Sequence, residues 1–204
     1  MSYSPKATIL SRKVEFEGWH RLETVVVQPQ SLKHDGLASP MSREVYYCGT
    51  VVGALLYLPE TDQILLNEQF RVGAFMAGDP KPALYECSAG KIDEGEAPEA
   101  AVRREALEET GCAVLDLEFI GKSYPSPGGS DEMFLLYCGR IGKAEAGHYG
   151  LEREGEEIKT RLLPAAEAIR MLDAGEITNG STVICLHWFA RNHARLRQKW
   201  GGKQ

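Results

Sequence analysis

The chain has 204 residues, of which 29 are acidic and 23 are basic, so its formal net charge is −6. This length predicts one globular domain, or one domain with an appendage. The mild acidity argues against a general nucleic-acid-binding protein, which would be basic, and every apolar run is far shorter than the roughly 20 residues of a membrane-spanning helix. We therefore expect neither nucleic acid nor membrane as a partner, although a small anionic substrate remains compatible with this charge.

The cysteines and the N-terminus indicate the cellular compartment. Five cysteines are scattered without a CxxC pair, and the five histidines lack metal-ligand spacing. The N-terminal residues lack the apolar stretch of a signal peptide. Scattered thiols are typical of a reducing compartment, so the expected location is the cytoplasm.

The first half of the chain is predicted to be mostly strands. The pattern of β-branched residues, aromatic residues and glycine or proline breaks gives, in order, a strand at 14–28 broken at Gly18, a loop at 29–42, a hairpin of 44–58 and 63–69 with its turn at 59–62, a loop at 74–82, a short strand at 84–88 and a glycine-bounded loop at 90–95.

Helices alternate with strands in the second half. The predicted elements are a helix from Pro98 to about Thr110 with Gly111 as its C-cap, strands at 114–123 and 133–140 around a loop at 124–131, a polar loop at 147–157, a strand at 158–163, and helices at 165–174 and 178–200. This order predicts an α/β sandwich on a mixed sheet.

The helix predicted at 98–110 carries an unusual concentration of carboxylates. Glu105, Glu108 and Glu109 are spaced i, i+3 and i+4, so all three project from one face, where like charges repel. Glu96, just before the helix, can fold back towards them. Converging oxygen ligands suit a hard divalent cation, and Mg²⁺ fills the rest of its shell with water and phosphate oxygens.

The alternative interpretation is a solvated helix face on which Arg103 and Arg104 pair with the glutamates, which is the usual role of such charge runs. The complete pattern argues against it. Between Gly90 and Gly111 the chain reads G-x5-E-x7-R-E-x2-E-E-x-G, with seven fixed positions. This pattern resembles the Nudix box, and the chain resembles a Nudix hydrolase. Nudix hydrolases cleave nucleoside diphosphates linked to another group by using Mg²⁺ or Mn²⁺.

The resemblance assigns expected roles within the box and implies the Nudix-type α/β/α sandwich. The Gly90 position lets the backbone turn so that the Ala89 carbonyl faces a metal. The Glu105 and Glu109 positions ligate the metal, and Glu108 and Glu96 assist directly or through water. The Arg104 position orients the glutamates by ion pairing, in keeping with the way a guanidinium fixes carboxylate rotamers.

A second motif lies in the segment 124–132, where Pro127 falls 16 residues beyond Gly111. A proline at position 127 followed by glycine is similar to the ADP-ribose pyrophosphatase subfamily and its nucleotide-sugar relatives. The alternative is an ordinary Pro-Gly turn. Under the resemblance, the expected substrate contacts here are Ser126, Pro127, Gly128 and Glu132.

The acidic segment 148–158 resembles the catalytic loop of the same subfamily. There the Glu154 position supplies the general base, with Glu152 and Glu157 as alternatives, and the Glu156 position reaches the metals. A mobile acidic loop can bring a carboxylate to metal-bound water. Without the resemblance, this segment would be interpreted as a solvated loop.

The N-terminal segment resembles an arm that is swapped between subunits in homodimers of this subfamily, so residues 1–42 are predicted to be a β arm used in dimerisation and residues 43–204 the Nudix domain. An aromatic residue of the arm stacks on the adenine, and Trp19 is the matching residue here. Packing within a strand is the alternative for Trp19.

Four further residues complete the predicted substrate site. Arg71 matches a family arginine that binds phosphates or nearby hydroxyls, which suits a guanidinium. His20, Tyr47 and Lys91 are also assigned to substrate binding. One departure from the subfamily is the pair Tyr46-Tyr47, where basic residues are typical, and this stretch bears on how the diphosphate or base is bound.

The sequence therefore predicts a homodimeric, Mg²⁺-dependent enzyme, with Mn²⁺ as a possible substitute, that hydrolyses ADP-ribose to AMP and ribose 5-phosphate. One alternative is hydrolysis of another nucleotide sugar, such as GDP-mannose or another ADP-sugar. The other is a Nudix-fold module that binds ADP-ribose without cleaving it.

Overall fold

A computed structural model describes residues 6–151 and 155–201 of the chain. The strands are Ala7–Glu17 (β1), Arg21–Pro29 (β2), Met41–Tyr47 (β3), Thr50–Leu58 (β4), Gln63–Phe70 (β5), Ala83–Glu86 (β6), Ser88–Lys91 (β7), Val114–Ser123 (β8), Met133–Ile141 (β9), His148–Tyr149 (β10) and Ile158–Pro164 (β11). The helices are Val72–Met76 (α1), Pro98–Thr110 (α2), Ala165–Asp173 (α3) and Gly180–Trp200 (α4).

The chain forms two compact units. One runs to Gly49 and also includes Ser126–Glu132, and the other comprises Thr50–Pro125 and the residues from Met133 onward. The first unit contains an antiparallel sheet in the order β1-β2-β3. Its Ser126–Glu132 segment is joined to β3, where the Tyr46 amide donates to the Gly129 carbonyl at 2.8 Å.

The second unit contains a mixed sheet in the order β10-β11-β5-β4-β9-β8, with β6 paired to β5 and β7 paired to β4. β4 runs parallel to β9 and antiparallel to β5. Eight of the nine residues of β4 are buried, because helices cover both faces of the sheet at this strand. One core layer holds α2, and the opposite layer holds α3 and α4. The predicted α/β/α sandwich on a mixed sheet is confirmed.

Several boundaries differ from the predictions. The strand predicted at 44–58 is two strands in separate sheets, because the chain turns at Cys48 and Gly49, and Gly49 has a φ of 83°. β1 begins at Ala7 rather than at residue 14, and the short helix α1 was not predicted. The box helix was predicted correctly from Pro98 to Thr110, with Gly111 as its left-handed cap at a φ of 66°.

An ion cluster joins β8 to α4. Glu118 accepts hydrogen bonds from Arg195 Nη2 at 2.5 Å and from Lys199 Nζ at 2.9 Å. These contacts lower the pKa of Glu118 to about 2, mainly through the Arg195 hydrogen bond. Because the folded-state pKa lies below the usual value, the cluster stabilises the fold above about pH 4.5, and this contribution is lost as the pH falls through about 2.

We expect Glu118→Gln to lower the free energy of unfolding by about 1 kcal/mol at neutral pH, since solvent around the half-exposed Arg195 and Lys199 screens the interaction. The difference in unfolding free energy between this variant and the wild type should narrow as the pH falls from about 5 to about 2. Urea denaturation across this range measures it, with the exposed turn residue Glu60→Gln as a control. Equal stability of Glu118→Gln and wild type at neutral pH would contradict the assignment.

Candidate active site

The core of the site is the meeting of β7 with the C-terminal half of α2. Pro98 opens the helix, and Gly111 ends it by donating its amide to the Leu107 carbonyl at 2.9 Å. Ala101, Val102 and Ala106 bury the helix against the sheet, as their spacing requires. This packing directs the glutamates of the last two turns towards β7 and its flanking loop.

Arg104 organises the predicted cluster. Its Nε and Nη2 atoms donate to the two oxygens of Glu96 at 3.0 and 2.8 Å, and Nη1 donates to Glu105 at 2.6 Å and to Glu108 at 3.3 Å. Nη2 also donates to the Lys91 carbonyl at 2.9 Å. The Arg104 hydrogen bond, followed by that of the Asp93 amide, lowers the pKa of Glu96. One guanidinium thus connects three carboxylates and the end of β7.

Glu109 is the most deeply buried of the box glutamates, with 4% of its surface exposed. Its Oε2 accepts hydrogen bonds from Asn67 Nδ2 at 3.0 Å and from the Ala89 amide at 3.1 Å. The pKa of Glu109 is raised to about 8, mainly by burial and in smaller part by the nearby Glu105 and Glu156 carboxylates. The site therefore holds more negative charge than its own residues neutralise.

Glu105 lies against the backbone of Gly90. A Cβ atom built on Gly90 would fall 1.9 Å from Glu105 Oε1. Gly90 lies in β7 and lacks a positive φ, so the expected turn is not what requires glycine here. The requirement is space: the Glu105 carboxylate occupies the volume that any side chain at position 90 would fill. Burial also raises the pKa of Glu105.

The carboxylates of the site supply oxygen atoms, which are the ligands that a hard divalent cation prefers. Within 6–151 and 155–201, no three acidic, histidine or cysteine side chains converge closely enough to hold an ion. Glu105 and Glu108 are instead drawn to Arg104. The chemistry nevertheless fits a hard divalent cation, because the oxygens are carboxylates with surplus negative charge, one of them nearly fully buried.

Arg71 was predicted to bind phosphates or nearby hydroxyls, and the structure places it beside a buried partner. Its Nε and Nη2 atoms donate to both oxygens of Glu86, at 2.5 to 3.0 Å. Glu86 is 3% exposed. Arg71 also lies within electrostatic range of Glu109 and Glu156, so the structure brings it to the same cluster.

The acidic loop is described only in part. Glu154, the predicted general base, and Glu152, one of its alternatives, lie outside the described residues. Glu156 is described, and its charge acts on both Glu105 and Glu109, in agreement with a position near the box. Its backbone approaches Gly150, where a Cβ would fall 2.7 Å from the Glu156 carbonyl oxygen.

Seven predicted substrate residues belong to the unit that ends at Gly49 and includes Ser126–Glu132. Trp19 lies in the turn between β1 and β2 and is 85% exposed, so it does not pack within a strand in this chain. His20 contacts the Tyr47 carbonyl at 3.2 Å and the Tyr46 ring at 4.8 Å between centroids. Of the seven, Trp19 and His20 line a cavity of about 380 Å³, together with Phe16, Arg21, Leu22 and Tyr46.

The Ser126–Glu132 segment forms a tight turn. The Ser126 carbonyl accepts from the amides of Gly129 and Ser130, at 3.2 and 3.0 Å, which places Pro127 and Gly128 at the tip. The Glu132 amide donates to Ser130 Oγ at 3.1 Å. Asp131 Oδ1 accepts from the amides of Cys48 and Gly49, which anchors the turn to the end of β3.

Two residues of the site were missed in the sequence. Asn67 and Glu86 are polar residues that the structure buries next to Glu109 and Arg71. Each lies in a run predicted as a strand. Asn67 directly follows three apolar residues, and Glu86 lies between Tyr85 and Cys87. A buried polar residue in a central strand requires a partner, and this signal could have identified both.

The chain was compared with known proteins by sequence and by structure. The sequence pattern of the NUDIX domain matches residues 49–183. An ADP-ribose pyrophosphatase of Haemophilus influenzae is 33% identical over 195 residues, which cover 94% of this chain and 89% of that protein. An ADP-ribose pyrophosphatase of Escherichia coli K12 is 30% identical, covering 94% of this chain and 91% of the relative.

Another relative carries a different name. A GDP-mannose pyrophosphatase of Citrobacter koseri is 32% identical over 91% of this chain and 95% of its own length. A crystal structure described as an ADP compounds hydrolase has the same fold, with a TM-score of 0.72 at 20% identity, covering 94% of this chain and 97% of that one. Within the described residues, no helix is both long enough and apolar enough to cross a membrane. The NUDIX match over most of the chain and the identity to these pyrophosphatases show that the chain belongs to the Nudix family of hydrolases.

Proposed function

We propose that this protein hydrolyses the diphosphate of ADP-ribose, giving AMP and ribose 5-phosphate, with Mg²⁺ as its cofactor and Mn²⁺ as a possible substitute. The observation that carries the proposal is the intact carboxylate cluster, with Glu109 buried against Ala89 and Glu105 seated on Gly90. Nudix hydrolases generally use divalent metal ions. Relatives named ADP-ribose pyrophosphatase, at 30–33% identity over nearly the whole chain, support the choice of substrate.

The residues that would hold the cation are Glu105, Glu109 and the carbonyl of Ala89, with Glu96, Glu108 and Glu156 assisting. When bound, a divalent cation neutralises diphosphate charge and lowers the pKa of water. Arg104 keeps Glu96, Glu105 and Glu108 in fixed rotamers through its hydrogen bonds. It therefore acts as a positioning residue.

Arg71 and the acidic loop supply the remaining chemistry. Because Glu86 holds the Nε and Nη2 edge of Arg71, the guanidinium is fixed with its charge near Glu109. A fixed cation suits an anionic diphosphate. Glu154 is proposed as the general base, and Glu156 as a second acidic residue of that loop.

The first unit is proposed to bind the nucleoside and sugar. The exposed ring of Trp19 at the rim of the 380 Å³ cavity supports its role as the adenine-stacking residue. The other proposed contacts in this unit are His20, Tyr47, Ser126, Pro127, Gly128 and Glu132. Lys91, in β7, is proposed separately as a substrate-binding residue.

We expect Trp19→Ala to raise KM for ADP-ribose about tenfold with little change in kcat, since stacking of a base on an aromatic ring contributes about 1–3 kcal/mol. Steady-state kinetics measure both constants. Leu32→Ala, which removes another exposed apolar side chain of the same unit, is the control. An unchanged KM in Trp19→Ala would remove Trp19 from the base site.

We also propose that the protein is a homodimer in which the arm formed by residues 1–42 is exchanged between subunits. Its proposed location is the cytoplasm. All eleven residues of β1 are exposed, including Ile9, Leu10, Val14 and Phe16. Apolar residues along a fully exposed strand are expected to find a partner surface. Five free cysteines fit a reducing compartment. Light scattering of the purified protein measures the oligomeric state, and a monomer would contradict the exchanged arm.

A release assay across nucleotide sugars tests the substrate. ADP-ribose, other ADP-sugars and GDP-mannose are each incubated with Mg²⁺ or Mn²⁺, and released AMP or GMP is quantified. We expect ADP-ribose to have the highest kcat/KM. Faster turnover of GDP-mannose would instead assign the activity named for the Citrobacter koseri relative.

A further inference from the structure

Asn67 is a buried polar residue of β5, which reads QILLNEQF, and it directly follows the apolar run Ile64–Leu66. It is 2% exposed and lies outside the Nudix box. Burying an amide costs free energy unless hydrogen bonds replace those to water. The buried Asn67 side chain is therefore expected to have a specific hydrogen-bond partner.

The side-chain alternation of β5 explains where Asn67 points. Leu65 packs in the core layer that contains α2, and Asn67, two residues later, lies on the same face of the sheet. There its Nδ2 donates to Glu109 Oε2 at 3.0 Å, and the Ala89 amide donates to the same oxygen at 3.1 Å. Two donors from two different strands thus fix one carboxylate oxygen.

The orientation of the Asn67 amide suits the chemistry of the pair. The structure places the Asn67 nitrogen against Glu109. This is also the orientation that a metal-binding Glu109 needs, because an ionised carboxylate only accepts hydrogen bonds. Its Oδ1 is then directed elsewhere, and this atom is buried without a hydrogen-bond partner among the described residues. An unsatisfied buried acceptor costs about 1–3 kcal/mol, so a group that enters the site with ligand is expected to use it.

We propose that Asn67 is a positioning residue of the metal site: its Nδ2 holds Glu109 in the orientation for a divalent cation, and its Oδ1 accepts a hydrogen bond from a water molecule that enters with the hydrated cation. This inference rests on the proposed function, because it assigns Glu109 to metal binding. Hydrogen bonds to metal ligands from neighbouring residues commonly change metal affinity 10- to 100-fold, which is about the effect expected of Asn67.

The test measures Mn²⁺ binding to the free protein by electron paramagnetic resonance. Asn67→Leu keeps the approximate volume but removes the donor and the acceptor, and we expect at least about tenfold weaker Mn²⁺ binding. With ADP-ribose as substrate, kcat should fall at low Mn²⁺ and recover as Mn²⁺ is raised, while KM for ADP-ribose stays nearly constant. If the substitution caused only a structural defect, kcat would not recover with added Mn²⁺.

The matched control is Cys138→Ala, which removes a fully buried side chain of β9 in the opposite core layer. Its Mn²⁺ affinity should equal that of the wild type, whatever its loss of stability. If Asn67→Leu does not fold, Asn67→Ser provides the same measurement, since its hydroxyl is too short to reach Glu109.

The outcomes separate this inference from the proposed function. Wild-type Mn²⁺ affinity in the Asn67 variant would overturn the inference and leave the proposed function intact. Weakened Mn²⁺ binding in the Asn67 variant, together with a wild-type protein that releases no AMP from ADP-ribose, would support the inference and contradict the proposed function. A wild-type protein that binds no Mn²⁺ would overturn both.

Discussion

Glu109→Gln should lower the rate of ADP-ribose hydrolysis by at least about 100-fold while leaving the protein folded. The carboxylate charge is lost, but an amide oxygen can still accept from Asn67 and Ala89, which now hold Oε2. Burial already raises the pKa of Glu109 to about 8, so a neutral side chain is well tolerated there. The measurements are kcat at saturating Mg²⁺ and the melting temperature without added metal.

The control for this prediction is Glu94→Gln, an exposed acidic residue of the same box loop. It carries the same change of charge, so a general electrostatic effect would lower both rates equally. We expect Glu94→Gln to retain nearly the full rate. If Glu109→Gln does so as well, Glu109 is not a metal ligand.

Gly90→Ala should reduce activity by up to about 100-fold at a small cost in stability. A methyl group at this position would fall 1.9 Å from Glu105 Oε1, so the carboxylate must move away. The displaced atoms are the end of a flexible side chain, which limits the loss of unfolding free energy to about 1 kcal/mol. Displacing a metal-binding carboxylate by an ångström or more has a far larger effect on rate.

Gly180→Ala is the matched control for the glycine prediction. No atom lies within 4 Å of a Cβ built at Gly180, at the start of α4. This substitution should leave the rate unchanged and slightly stabilise the helix. Chemical denaturation and kcat/KM on both variants separate stability from activity, and an active Gly90→Ala variant would show that the position of Glu105 is unimportant.

The box helix could be predicted from the sequence because its signals are local. Pro98 at the first turn, Gly111 at the cap and the i, i+3, i+4 glutamates act within one helix, and the structure has the same bounds. The hairpin turn at 59–62 was recovered for the same reason. Neither element depends on distant residues.

The features that were missed depend on tertiary structure. The pattern of 44–58 is continuous strand, yet the chain passes from one sheet to another at Cys48 and Gly49, where Asp131, more than 80 residues away, holds both amides. Asn67 and Glu86 are cross-strand partners in the pairing of β5 with β6, and Asn67 reaches Glu109 on α2, so both join the site only through tertiary contacts. The burial of Glu109 likewise comes from packing, which local spacing cannot show.

The most direct test of the central claim is whether this protein cleaves ADP-ribose in a metal-dependent way. Purified protein is incubated with ADP-ribose and Mg²⁺, with and without EDTA, and the products are followed by ³¹P nuclear magnetic resonance. We predict equal amounts of AMP and ribose 5-phosphate, abolished by EDTA and nearly absent in Glu109→Gln. Tight binding of ADP-ribose without any AMP release would contradict the account and identify a binding module instead.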